Sequence, residues 1–437
     1  MKLATPSIPH LVHIETTYAC NARCIFCYNP SRTFEINYKR LDKIVSSVKK
    51  SEIPHVYLIG GEPSLLKQSK LNEYIENLSS TSSVTLVTNG LKYIDNLSND
   101  LACIGIPLHG TKEIHEYVTG VEGGYKKVIK SIEKYVSRGF DVRCIPVLMS
   151  LNYNQMYETI KKAFELGMES VYIDCFESGG IGSKLAEKLK PSLQQFKEAL
   201  TQIIKAKKDF GIKVGFGTAL PFCLDERLFK EDLLGDCGAG FTFAAIDPWG
   251  NVRICNQSTI IYGNVLKEPL EKIWKKNRIN IEFRCLKWVS EPCKSCKLLH
   301  YCLGGCKVDT NFPGEYSVDP LIRNKRPPLS PEKVFKLFKE WERKKEEKWY
   351  YPPKFRRFKI EKYTKLILKH KEKYLVTRYQ TIVVNSAALK ILKFLLNKRD
   401  KVWDEKELLI KFRSSVYGEE MRKFVSQLER AGAIRVL

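Results

Sequence analysis

No run of apolar residues in this chain approaches the roughly 18 that a membrane-spanning helix needs. The N-terminal stretch MKLATPSIPHLVHIETT lacks a charged region followed by a long apolar one, so it does not read as a secretory signal. There is no internal repeat, and no cysteine beyond Cys306. These absences point to a cytoplasmic, reducing setting, in which disulfides do not persist. Fourteen cysteines in such a chain argue for metal or cluster ligation.

What is present is globular. The 437 residues are 43% hydrophobic and 11% aromatic, enough for two or three domains with their own cores and against a disordered chain. The net charge of +24 is unevenly spread: Arg323 to Lys373 carries 19 Lys and Arg against 7 Glu, an excess of 12. That stretch reads as a solvated linker and helix face or as a patch for an acidic partner.

From residue 11 to about 176, short apolar runs alternate with segments of helical period. LVHIE (11–15), HVYLIG (55–60), SVTLVT (83–88), ACIGIPL (102–108), FDVRCIPVL (140–148) and SVYIDCF (170–176) read as buried parallel strands. Tyr38–Lys50, Tyr125–Arg138 and Tyr153–Leu166 read as helices between them, several ending in glycine. Six βα units predict an α/β fold, a partial six-unit barrel or a doubly wound sheet. A helix over 191–209 and a strand over 212–217 lead to a cysteine-rich region, Cys237 to Cys306. A Lys-, Pro- and aromatic-rich connector follows, with a helix around Pro331–Lys348. The last 80 or so residues predict strand-like runs at 364–370 and 373–384, then helices Ser386–Leu396, Asp404–Phe412 and Gly418–Ala431, and a closing strand. The domain boundaries expected are 1–218, 219–318, 319–357 and 358–437.

The segment TTYACNARCIFCYNP sets Cys20, Cys24 and Cys27 at CxxxCxxC just beyond the first strand, where the active sites of β/α barrels collect. Three thiolates from one loop leave one iron of a [4Fe–4S] cluster open to an external ligand. Spacing alone also fits a three-cysteine zinc site. With Phe26 at its aromatic position, the motif resembles that of the radical S-adenosylmethionine (SAM) superfamily. The resemblance implies a partial (β/α)6 barrel and a cluster whose free iron binds the amino and carboxylate groups of SAM. It further implies reductive cleavage of SAM to a 5′-deoxyadenosyl radical that abstracts a substrate hydrogen. Gly60-Gly61-Glu62-Pro63 matches the family's GGEP. By that resemblance the glycines let backbone approach the methionine moiety and Glu62 accepts from its ammonium. Thr88 and Asn89 end the third strand as in many relatives, and Arg143 in the fifth is expected at the SAM carboxylate. Cys103, Cys144 and Cys175 read as core thiols.

The second cluster runs Cys237, Cys255, Cys293-x2-Cys296-x5-Cys302-x3-Cys306. A zinc knuckle built on CxxC pairs fits the spacing. Together with IDPWGNVRICNQS, the pattern resembles the SPASM extension of radical SAM peptide maturases. The resemblance implies one or two auxiliary iron–sulfur clusters, one on Cys237, Cys255 and Cys306, the other on Cys293, Cys296 and Cys302. The family's final cysteine is missing, as is one just upstream of Cys237. Cys223, Cys285 or the oxygen of Asp309 are the candidates for the fourth ligands.

The run YLVTRYQTIVVNSAALKILKFL and the helices after it resemble a PqqD-like peptide-recognition domain of winged-helix type. An exposed strand edge there can capture a peptide leader. A DNA-binding winged helix would need a basic reading helix, and Gly418–Ala431 balances Arg422, Lys423 and Arg430 against Glu419, Glu420 and Glu429. The resemblances imply an enzyme that modifies a ribosomally made precursor peptide with electrons from a donor such as ferredoxin or flavodoxin. A sulfatase-maturase-like or haem-modifying enzyme, or a structural iron–sulfur or zinc protein, are the alternatives.

Overall fold

A computed structural model describes residues 5–32, 35–235, 238–308, 319, 321–322, 327–347, 356–412 and 418–437. Cys237 and Asp309 lie outside the described residues. Among the described residues no helix is long and apolar enough to cross a membrane.

Five apolar runs form parallel strands close to where the sequence puts them: β1 (Leu11–Glu15), β2 (His55–Ile59), β3 (Ser83–Val87), β4 (Cys103–Ile106) and β5 (Val142–Cys144). The run 140–148 breaks after Cys144, and Val147–Leu148 forms a separate short strand, β6, paired with β7 (Ser170–Cys175). β8 (Lys213–Phe216) joins β7, so the parallel order is β1-β2-β3-β4-β5-β7-β8. Among the described residues this sheet does not close on itself. On the other flank of β1 lies β9 (Phe243–Ile246), parallel to it, followed by antiparallel β10 (Asn251–Arg253) and β11 (Ile261–Asn264). The cysteine-rich region thus continues the barrel sheet.

The covering helices are amphipathic for local reasons. Tyr38–Lys50 starts where Asn37 accepts from the Arg40 N–H and buries Leu41, Ile44, Val45 and Val48 on the sheet. Leu193–Phe210 is opened by a capping box of Ser192 and Gln195 and closed by left-handed Gly211. Cys103, Cys144 and Cys175 are buried core thiols, as read.

The connector does more than span. One face of the helix Pro331–Glu347 buries Val334 and Phe338 against Phe222, Phe229 and Leu298. Lys333 pairs with Glu226 and Lys345 with Asp232, so part of the basic excess is neutralised on the protein itself.

The C-terminal module holds two antiparallel three-stranded sheets and three helices. β12 (Arg357–Ile360) lies between β16 (Trp403–Asp404) and β17 (Ile434–Val436). The second sheet is β13 (Lys365–Ile367), β14 (Tyr374–Val376) and β15 (Thr381–Val383) in that order. The run 373–384, read as one strand, is a hairpin: the N–H of Thr377 donates to the Gln380 carbonyl and reverses the chain. Helices Ser386–Leu396, Glu405–Phe412 and Gly418–Arg430 lie at or within a residue of their expected bounds.

This module docks on the end of the barrel where the strands begin. Tyr363 Oη donates to the Leu101 carbonyl at 2.7 Å, Lys365 Nζ to that of Ser82 at 2.7 Å, and Ser83 Oγ to that of Arg378 at 2.8 Å. Arg378 and Tyr379 both reach Asp141, the residue before β5.

One buried ion pair fastens the cysteine-rich region to the barrel. Arg253 on β10 donates to Glu15, the last residue of β1, which also accepts from Tyr18 Oη at 2.9 Å. Both partners are buried. Arg253→Met should therefore destabilise the protein by roughly 3–5 kcal/mol, because it strands a buried carboxylate. Adding Glu15→Gln should recover part of that loss. Thermal denaturation of the two variants checks this; equal losses would mean that the pair carries no coupling.

Candidate active site

The ends of β1, β2 and β3 bring the first set of motif residues together. The Cys20–Cys27 loop leaves β1 and is pinned from four sides. The N–H groups of Gly61 and Glu62 donate to the carbonyls of Thr17 (2.6 Å) and Ala19 (2.8 Å). Arg23 and Ile25 N–H donate to Thr119 and Val118, and the Gly182 N–H donates to the Cys27 carbonyl. Phe26 meets the buried ring of His109 edge-on at 4.6 Å. Ala22 N–H lies 3.4 Å from Cys20 Sγ, and Asn89 Nδ2 lies 3.8 Å from it.

Glycine is required at 60 and 61 by the close approach of this loop. A Cβ at Gly61 would stand 2.1 Å from the Ala19 carbonyl oxygen, and one at Gly60, whose φ is +132°, 2.5 Å from that of Thr17. Glu62 is fully buried. Its Oε1 accepts from the Ser64 N–H (2.9 Å) and the Thr88 hydroxyl (2.6 Å), and its Oε2 from the Asn89 N–H (2.7 Å). Burial holds its carboxyl above the usual range, while these donors pull it back. The structure thus places Glu62 as a tie between the second and third loops, and Pro63 begins the short 3₁₀ turn that Glu62 caps.

Arg143 does not join them. Its guanidinium donates to Tyr57 Oη at 3.2 Å and stacks on the rings of Tyr172 and Tyr379, the latter from the C-terminal module. It sits toward the strand starts, beside Ser170, the first residue of β7, so the structure does not bring it to the cysteine loop with the other expected SAM-site residues. Two residues that the motifs did not flag stand by the cysteines: Arg32, which donates to the Cys24 carbonyl at 2.8 Å, and Tyr28, whose hydroxyl donates to the Gly60 carbonyl at 3.3 Å.

The donor set fits an iron–sulfur cluster. Burial pushes the thiols of Cys20, Cys24 and Cys27 up, each further raised by a neighbouring anionic group, while Arg32 lowers Cys24 and Cys27. Thiols of this number and spacing are ligands that an iron–sulfur cluster takes as thiolates.

In the cysteine-rich region Cys223, Cys293, Cys296 and Cys302 line one cavity of about 40 Å³. Cys255 and Cys306 are buried and lie outside that lining. Cys285 is exposed, its Sγ donating to the Glu282 carbonyl, so it is placed with neither group.

Gly61→Ala tests the close packing of the first two loops. It should displace the Cys20–Cys27 loop and lower iron retention there and SAM affinity at least tenfold, while the secondary-structure signal by circular dichroism stays unchanged. Wild-type iron and SAM binding would contradict the contact.

Comparisons with known proteins agree with this geometry. The pattern of the radical SAM superfamily matches residues 14–172, and that of SPASM, an iron–sulfur cluster-binding domain, matches residues 237–297. The mycofactocin maturase MftC of Mycolicibacterium smegmatis is 26% identical over 322 residues, covering 69% of this chain and 78% of that protein. The PqqA peptide cyclase of Gluconobacter oxydans is 25% identical over 320 residues, covering 70% and 87%. The structure of Streptococcus suis SuiB bound to precursor peptide SuiA superposes with a TM-score of 0.58 at 19% identity over 72% of this chain and 76% of that one. That of anSMEcpe with bound AdoMet does so at 0.56 and 18% over 77% and 97%. The cysteine loop, the GGEP turn and both pattern matches converge: the chain belongs to the radical SAM superfamily and is an enzyme with a SAM-binding [4Fe–4S] domain and a SPASM domain for auxiliary iron–sulfur clusters.

Proposed function

We propose that this enzyme matures a ribosomally made precursor peptide in the cytoplasm, taking electrons from a donor such as ferredoxin or flavodoxin. Relatives named as a mycofactocin maturase and a PqqA peptide cyclase, and a fold neighbour solved with its precursor peptide, support the peptide substrate. Cys20, Cys24 and Cys27 would hold the cluster, which when bound would supply the one-electron cleavage of SAM that generates a hydrogen-abstracting radical. The chain's own residues do the positioning. Glu62, through Thr88 and Asn89, fixes the loops that face the cysteines.

The observation that carries leader capture is the outer edge of β15, on which no strand pairs among the described residues. The Val384 N–H bonds back to Lys373 and the Thr377 N–H to Gln380, so alternation turns the N–H groups of Thr381 and Val383 outward. Val383 is 61% exposed, and half-buried Ala388 and Leu389 lie on the helix that follows. An extended leader can add a strand there and set apolar side chains against the helix. Because the module caps the start of the strands, a leader bound on it is separated from the cysteines by the height of the barrel. Five-residue strands span about 17 Å, so several residues of peptide must link the leader to the modified position.

Incubation with a candidate precursor peptide, with SAM and reductant, should change the peptide's mass; an unmodified peptide in the presence of SAM cleavage would exclude this substrate. Val383→Pro removes one outward N–H without losing a ladder bond. It should weaken peptide binding at least tenfold in calorimetry, with peptide-independent SAM cleavage unchanged. Equal binding by variant and wild type would refute capture at this edge.

A further inference from the structure

The four cysteines that line the cavity behind β8 come from two distant parts of the chain. Cys293, Cys296 and Cys302 lie on the turns and short helix of residues 291–302. Cys223 comes from upstream, on the loop that leaves β8 and precedes the turn Arg227–Lys230. It lines the same cavity as Cys293, Cys296 and Cys302. The two segments are stitched at this point, since the Phe222 N–H is directed at Cys302 Sγ at 3.3 Å.

The other wall is built by the connector. The Leu329 N–H donates to the Cys223 carbonyl at 3.1 Å, and Val334 of the helix Pro331–Glu347 faces the same space. Apart from the four cysteines, every side chain in the lining is apolar: proline, phenylalanine, leucine, isoleucine or valine, with Gly304. Such a wall gives water few polar partners. Four thiols lining one apolar pocket from two segments are the donor type and number that one cubane cluster takes.

We infer that Cys223 is the fourth ligand of the auxiliary cluster on Cys293, Cys296 and Cys302, in place of the downstream cysteine that this chain lacks. The inference rests on the SPASM domain holding iron and is independent of the peptide substrate. Two consequences follow from the geometry. With four thiolates the cluster has no iron open to a substrate atom, so any open auxiliary iron belongs to the group of Cys255 and Cys306. The helix Pro331–Glu347 is then a wall of the cluster site, which ties the connector to the cofactor.

The test uses the full chain carrying Cys20→Ala, Cys24→Ala and Cys27→Ala, so that only auxiliary iron remains, read by iron analysis and electron paramagnetic resonance of the reduced protein. Adding Cys223→Ala should lower the iron content, by the one iron left without a thiolate or by up to the whole cluster of about four per chain, and change its signal. Cys223→Ser, which keeps a ligating oxygen, should retain more iron with altered g-values. Cys285→Ala should change neither. Unchanged iron and spectrum in Cys223→Ala would overturn the assignment, as would loss of a cluster in Cys285→Ala. If Cys223→Ala yields no soluble protein, the serine variant decides: an unaltered spectrum overturns the assignment and an altered one supports it. Absence of all iron from the triple variant would overturn the auxiliary clusters together with this ligand.

Discussion

A carboxylate taken fully out of water has to be met by donors, and Glu62 is met by three of them from two loops. Its bonds to Ser64, Thr88 and Asn89 set the end of β2 against the end of β3. The glycines before it let the same turn lie against the backbone of Thr17 to Ala19. Asn89 then carries its amide to Asn21 at 2.7 Å and toward Cys20. Three loops that share no sequence proximity are made into one rigid surface around the cysteines, as reaction geometry at a reactive centre requires.

The two ends of the strands have separate duties. At their C-terminal ends the loops carry thiols; at their N-terminal ends the C-terminal module covers Asp141, Ser83 and Leu101. Arg143 belongs to the second end. Its cation is stacked on Tyr172 and Tyr379 and bonded to Tyr57, so it links the barrel interior to the module. The pair of Glu15 and Arg253 couples the first strand to the auxiliary region in the same way that Arg378 and Asp141 couple the fifth to the module.

Where periodicity and chemistry agreed, the sequence was legible. Tyr38–Lys50 and Ser386–Leu396 were readable to the residue because an asparagine cap precedes an apolar stripe in both. The cysteine loop and the GGEP turn were readable because their spacing is chemical. Other features depend on the third dimension. The pleat says that Arg143 faces inward but not toward which end its long side chain leans. A run such as YLVTRYQTIVV has β propensity throughout, and only the bond across Thr377 and Gln380 shows that it folds back. The strand Arg357–Ile360 is short and lies in a basic stretch, so charge masked its alternation. Cys223 was one of three candidates for a fourth ligand because chain distance says nothing of approach; the cavity singles it out. In the connector, the apolar stripe of Val334 and Phe338 was outweighed by the count of lysines around it.

The account turns on whether Cys20, Cys24 and Cys27 together present an open iron to SAM. The direct measurement is formation of 5′-deoxyadenosine from SAM by the anaerobically reconstituted, reduced enzyme, alongside Cys20→Ala, Cys24→Ala and Cys27→Ala. The account predicts 5′-deoxyadenosine from the unaltered chain and none from any of the three variants, even though their auxiliary iron remains. Cleavage at the unaltered rate by any one of them would contradict it.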